Sequence, residues 1–94
     1  MQQGKTIRAM FMGHEIVVHN FWRAGNDEFV TEATLAFNGV VVDRTSELSP
    51  KKAKLAATLV DGDNRHAVEV AFGGWFIMRM KIMVDGRKVA GNLR

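Results

Sequence analysis

The feature that most constrains the fold is a strand-and-turn pattern that occurs twice. Apolar and polar residues alternate from Phe29 to Phe37, and Asn38-Gly39 then leads into a second apolar run. The same order returns from Phe76 to Val84, followed by Asp85-Gly86. Both dipeptides favour the positive φ angles of a type I′ turn, so each stretch predicts a β-hairpin. The two hairpins are related by an offset of 47 residues.

The repetition extends upstream of the hairpins if the loops differ in length. The stretch 14–21 corresponds to 66–72, and 7–12 corresponds to 55–60. Each half then has four short strands, which are too few to bury a stable core alone. We therefore predict a single domain over residues 1–94, in which halves at about 6–45 and 54–91, linked by 46–53, share one core.

The predicted fold is all-β: an eight-stranded antiparallel β-sandwich, or a closed barrel, built from two pseudo-repeated halves. The connection allows at most one helical turn, at Ser49-Pro50, so no long helix is expected. The predicted strands are Thr6–Met12, Glu15–Trp22, Glu28–Asn38, Val40–Arg44, Leu55–Asp61, His66–Phe72, Trp75–Val84 and Arg87–Ala90.

Composition excludes several classes of site and location. The chain has no cysteine, which excludes disulfides, thiolate chemistry and zinc sites that need sulfur. The apolar stretch 7–18 is interrupted by Arg8, Gly13, His14 and Glu15, so neither a signal peptide nor a membrane helix is expected. We expect a cytoplasmic protein with no membrane partner.

Each half contains a His-x-Ile or His-x-Val strand, a loop, and a Phe followed by alternating hydrophobic residues up to Asn-Gly or Asp-Gly. This pattern, seen at 14–42 and again at 66–89, resembles the domain of the Fas apoptotic inhibitory molecule family. The resemblance implies eight antiparallel strands in two sheets and action through binding other proteins, not catalysis. It implies no binding residues. The connection 47–54 departs from the family, in which an aromatic-bearing strand is expected closer to the first hairpin.

Three histidines, His14, His19 and His66, are the candidates for acid–base chemistry or metal binding. His14 and His66 hold equivalent places in the repeat, and alternation sends a neighbouring carboxylate such as Glu15 to the opposite face. We therefore interpret the equivalent histidines as turn-end residues that hydrogen-bond a carbonyl. The chain also lacks a nucleophile elbow and a phosphate loop. No catalytic residue, metal or cofactor is predicted, and no enzyme activity.

The formal charge of +3 is unevenly divided, with a net −2 in residues 1–47 and +5 in residues 48–94. At matched hairpin positions, Arg79 replaces Glu32 and Lys81 replaces Thr34. A basic stripe is therefore predicted on the second hairpin, with three interpretations: a solvated face that protects a sheet edge, contact between the acidic and basic halves of two copies, or binding of nucleic-acid phosphates. The stripe consists of Arg79, Lys81, Arg87 and Lys88.

Two tryptophans are predicted at equivalent strand ends, Trp22 beside Arg23 and Trp75 after a glycine pair. Because Trp and Arg are enriched at binding hot spots, these three residues are candidate partner-binding residues. The alternative is that the indoles cap the core, with each N–H bonded to a carbonyl. The predicted function is a non-enzymatic binding module for a protein partner or a second copy as a homodimer, with nucleic-acid binding as the alternative.

Overall fold

The computed structural model describes residues 2–25, 28–47, 53–73 and 79–93, which form eight antiparallel strands in two sheets and include no helix. This confirms the predicted all-β fold. The strands pair only within each sheet, so the molecule is a sandwich and not a closed barrel. The first sheet contains β1 (Gln2–Phe11), β2 (His14–Gly25), β3 (Glu28–Phe37) and β4 (Val40–Thr45), and the second contains β5 (Lys54–Asp61), β6 (Asn64–Gly73), β7 (Arg79–Val84) and β8 (Arg87–Gly91), each in chain order.

The alternation of apolar residues places one face of each sheet in a shared core. Full burial of one aliphatic side chain contributes roughly 1.5–3 kcal/mol, and both halves supply such side chains to one cluster. The two halves therefore contribute to one core. The core consists of Ala9, Ile16, Val18, Ala33, Leu35, Phe37, Leu55, Leu59, Val68, Val70, Phe72, Met80, Ile82 and Val84.

The equivalence of the two halves extends to the pairing register. Ile16 pairs with Phe37 in the first sheet, and Val68 pairs with Val84 in the second. Each β-bulge also falls at the matched place, at 35/36 and at 82/83. Beyond the sheets themselves, β4 lies beside β5 and β1 lies beside β8. Because β1 is equivalent to β5 and β4 to β8, these two contacts are the same contact made in both directions. The halves are therefore related by a pseudo-twofold axis.

The predicted type I′ turns are confirmed at both hairpins. Asn38-Gly39 has φ angles of 50° and 84°, and Asp85-Gly86 has 52° and 82°. Met12-Gly13, between β1 and β2, has the same signature, at 49° and 82°. All three turns therefore use the twist that matches right-handed strands. The fourth, between β5 and β6, has a positive φ only at Gly62.

Strand β2 is longer than predicted, because it continues to Gly25. β1 and β3 extend along both of its sides, so that Arg23 pairs with Gln2 and with Val30. Trp22 and Arg23 therefore lie inside a strand, which corrects their predicted position at a strand end and loop. The predicted helical turn at Ser49-Pro50 and the strand residues 75–78 lie outside the described residues.

A side chain joins the neighbouring edges of the two sheets. The backbone N–H of Ala56, on edge strand β5, donates to Asp43 Oδ2 of β4 at 2.9 Å. An unpaired N–H on a sheet edge is a template for unwanted pairing. The hydrogen bond to Asp43 satisfies that donor and joins β4 to β5.

Candidate functional site

The outer face of the second sheet carries a group of cations in adjacent rows. Lys54 of β5 lies opposite Ala71 of β6, which lies opposite Lys81 of β7. The next row has one residue from each strand: Ala56, Glu69, Met83 and Lys88. Arg79 lies further along β7, opposite Gly73. Since residues directly opposite one another share a face, these side chains form one surface. We call this surface the basic face: Lys54, Ala56, Glu69, Ala71, Arg79, Lys81, Met83 and Lys88.

A groove of about 350 Å³ opens on the basic face. Ala56 and Ala71 contribute short side chains on neighbouring strands, and Lys54, Glu69 and Met83 also line the groove. Ala53, Leu55, Val70 and Phe72, which belong to the core or pack against it, complete the lining. The alanines therefore create a depression with an apolar floor and charged walls, at the small end of ligand-binding pockets.

The two outer faces differ in how their charges are paired. On the first sheet, Arg8 lies 3.6 Å from Glu15, and Arg44 lies 3.7 Å from Glu32. Such exposed pairs add little stability, but each cancels a positive charge. Within the described ranges, no salt bridge involves Lys54, Arg79 or Lys88. The first sheet's outer face also carries the exposed Arg23, but three cations without a salt bridge lie on the basic face, so positive potential is higher there.

The predicted basic stripe is divided between two places. Arg79, Lys81 and Lys88 lie on the basic face, since Lys88 pairs with the outward Met83. Arg87 instead pairs with the buried Val84 and is exposed at the hairpin end. Lys54 and the groove were not predicted, because both depend on the pairing of β5 with β6.

The predicted tryptophan patch is separated by strand alternation. Trp22 is half-buried on the inward side of β2, and Arg23 is exposed on the other side. Their side chains therefore do not share a surface. Trp75 lies outside the described residues.

The two equivalent histidines make equivalent contacts with the turn residue of the following hairpin. Asn38 Oδ1 accepts the Glu15 N–H at 2.9 Å, and Asn38 Nδ2 lies 3.0 Å from His14 Nδ1. In the second half, Asp85 Oδ1 accepts the Ala67 N–H at 2.9 Å, and Asp85 Oδ2 lies 2.7 Å from His66 Nδ1. The prediction of turn-end hydrogen bonds is correct, but the predicted carbonyl acceptor is wrong, because the partner is the turn side chain.

The surroundings of the histidines bear on chemistry. His14 Nε2 bonds to Asp61 Oδ1 at 3.0 Å, whereas His66 Nε2 is buried without a partner and its ring meets Phe11 edge-on at 4.9 Å. Neither imidazole presents a nitrogen to an open cleft. His19 bonds to Thr6 Oγ1 at 2.7 Å on the first sheet. In the described ranges, no group of three or more ligating side chains could hold a metal ion.

Among the residues that the structure describes, Asp85 has a perturbed acidity. The hydrogen bond from His66, followed by the one from the Ala67 N–H, holds the pKa of the Asp85 carboxyl below its ordinary value. The charged form of Asp85 is therefore stabilised by folding.

Comparison of the chain with protein-family models, curated proteins and solved structures gives no significant match. The resemblance to the Fas apoptotic inhibitory molecule family stays a prediction. Nowhere in the described residues is there a helix with the length and apolar character to span a membrane.

Proposed function

We propose that this protein is a non-enzymatic binding module that holds the phosphate backbone of a single-stranded nucleic acid on its basic face. The observation that carries the proposal is the contrast between the two outer faces. Lys54 lines the groove, Arg79 and Lys88 lie on the same face, and none of the three forms a salt bridge in the described residues, whereas Arg8 and Arg44 of the first sheet are paired. Unpaired cations release condensed counterions when they meet phosphates, which favours binding.

The spacing of the cations supports an extended ligand. Arg79 and Lys81 are two residues apart on one strand, which corresponds to about 7 Å. Lys54 and Lys81 are separated by one intervening strand, or roughly 10 Å. A flexible single strand can follow such a surface, since positively charged grooves that track the backbone are typical of single-strand binders.

A titration at increasing salt tests the proposal. We expect a mixed-sequence, labelled oligonucleotide to bind, with a slope of log K against log salt of about −3 for four phosphate contacts. The double variant Arg79→Glu/Lys81→Glu should lower the affinity by about tenfold or more. Arg8→Glu/Arg44→Glu makes the same change in net charge on the first sheet and should have a much smaller effect. Absence of binding at low salt, or equal losses in both variants, contradicts the proposal.

Self-association is a second candidate, and one observation favours it. Val40, Val41 and Val42 are 64%, 47% and 41% exposed on edge strand β4. An exposed apolar edge can pair with the edge of a second copy and form a homodimer. Contact between the acidic and basic halves of two copies has less support, because Glu15 and Glu32 are already paired.

Sedimentation over a range of concentrations tests this candidate. We expect a dimer that the charged edge variant Val41→Lys converts to a monomer, whereas Thr34→Lys on the adjacent strand leaves it intact. A wild-type chain that stays monomeric at every concentration contradicts self-association and leaves the basic-face proposal unaffected.

A further inference from the structure

The centre of the basic face is occupied by an acid. Glu69 lies on β6 with Ala56 and Met83 on either side, and it lines the groove. Lys54 and Lys81 both pair with Ala71, two residues along the same strand, so they stand diagonal to Glu69 at about 7–8 Å. Glu69 itself forms no salt bridge in the described part of the chain.

A carboxylate at this position repels phosphate, so Glu69 is suited to contact a hydrogen-bond donor of the ligand instead. Glu69 is exposed, and an ionised carboxylate is purely a hydrogen-bond acceptor. Below it, Ala56 and Ala71 provide an apolar floor, and Met83 provides a polarizable wall. The groove therefore combines a surface that suits the flat face of a base with an acceptor at its edge.

We infer that the groove takes one base of the bound strand and that Glu69 accepts a hydrogen bond from the exocyclic amino group of cytosine. This inference rests on the proposed function. Cytosine presents its N4 amino group as a donor, whereas thymine presents an O4 acceptor at the same place. The Glu69 carboxylate can therefore accept a hydrogen bond from the cytosine amino group, whereas thymine O4 is a second acceptor and is repelled. The basic face therefore holds the backbone through its cations and, of the two DNA pyrimidines, prefers cytosine through Glu69.

Binding of short oligodeoxycytidylate and oligothymidylate, compared at slightly alkaline pH where cytosine is unprotonated, tests the inference. We expect the wild type to prefer oligodeoxycytidylate by about five- to tenfold, in keeping with the discrimination that base-edge contacts provide. Glu69→Ala should abolish this preference and should bind oligothymidylate more tightly, because a negative charge is removed from the face. Glu15→Ala removes the same charge from the first sheet and should keep the preference.

The outcomes separate the two proposals. Equal binding of the two oligonucleotides by the wild type, or a preference that survives in Glu69→Ala, overturns the role of Glu69 and leaves backbone binding in place. Failure of both oligonucleotides to bind overturns the proposed function and this inference with it. Weaker binding of oligothymidylate by a folded Glu69→Ala also contradicts the inference, since it would assign Glu69 a structural role on the face.

Discussion

Asn38 and Asp85 occupy the same position in the two halves and hold their histidines, His14 and His66, in opposite tautomers. Asn38 Oδ1 accepts a backbone N–H, so its Nδ2 is the donor toward His14 Nδ1. His14 therefore carries its proton on Nε2, which donates to Asp61. Asp85 can only accept when ionised, so the proton of neutral His66 lies on Nδ1. The change from the Asn38 amide nitrogen to the Asp85 carboxylate oxygen thus reverses the tautomer of the imidazole.

Nitrogen chemical shifts of the imidazoles check this assignment directly. At neutral pH we expect His14 to show a protonated Nε2 and a bare Nδ1, and His66 to show the reverse. Asn38→Asp should place a proton on His14 Nδ1 as well, since the new carboxylate accepts where the amide donated and Asp61 still accepts from Nε2. The same tautomer in both histidines of the wild type contradicts the assignment.

The lowered pKa of Asp85 predicts a loss of stability in acid. A carboxyl whose pKa is lower in the folded protein stabilises the fold above the pKa of the unfolded chain, about 3.9. That stabilisation is lost as the pH falls through the folded-state pKa of Asp85. We therefore expect the wild type to exceed Asp85→Asn in stability at neutral pH.

Urea unfolding at several pH values measures this difference. The gap between the wild type and Asp85→Asn should be constant near neutrality and should shrink as the pH falls below about 4. Asn keeps an acceptor for the Ala67 N–H, as Asn38 does for Glu15 in the first half. A gap that stays constant down to the lowest pH would show that the Asp85 charge contributes nothing.

Leu35 and Ile82 are equivalent core residues, each 0% exposed and each next to a bulge. Truncation of either residue to alanine should lower the free energy of unfolding by about 2–5 kcal/mol, because the surrounding side chains fill the resulting cavity incompletely. We expect Leu35→Ala and Ile82→Ala to lower the free energy of unfolding by similar amounts, in one cooperative transition. Thr34→Ala, on the outer side of β3, is the control. Two separate transitions in either core variant would show that the halves unfold independently.

Gly91 has a structural role that its neighbours in β8 do not share. Its φ is 111°, and a Cβ there would lie 2.1 Å from the Met80 carbonyl oxygen. Gly91→Ala should therefore cost roughly 2 kcal/mol or more, through both the clash and the left-handed backbone. Gly39→Ala tests the backbone effect alone, since φ there is positive but nothing lies within 4 Å of the added Cβ. Equal losses at the two positions would contradict the close approach.

Local features of the sequence predict most of this fold. The alternation in 29–37 defines which side chains are buried, and the dipeptides Asn38-Gly39 and Asp85-Gly86 place the turns. Both signals act over a few residues and depend little on the rest of the chain. The strand faces and hairpins were therefore predictable without knowledge of the partner sheet.

The basic face depends on information that is not local. Glu69 becomes its centre only because β5 and β6 pair so that Ala56 lies opposite it. That register is determined by the turn at Gly62. In the first half, the buried Ile16 is in the third residue pair from the turn, whereas its counterpart Val68 is in the fifth. The end of β2 was missed for a similar reason, because its extension depends on partners supplied by β1 and β3.

The matched registers and bulges describe two copies of one architectural unit, facing each other across a pseudo-twofold axis. Two separate, identical chains in this arrangement would be bound to carry the same residues on both outer faces. Covalent fusion of the units lifts that restriction. Arg79 can then stand where the other unit has Glu32, so the two outer faces can carry different charges on the same framework.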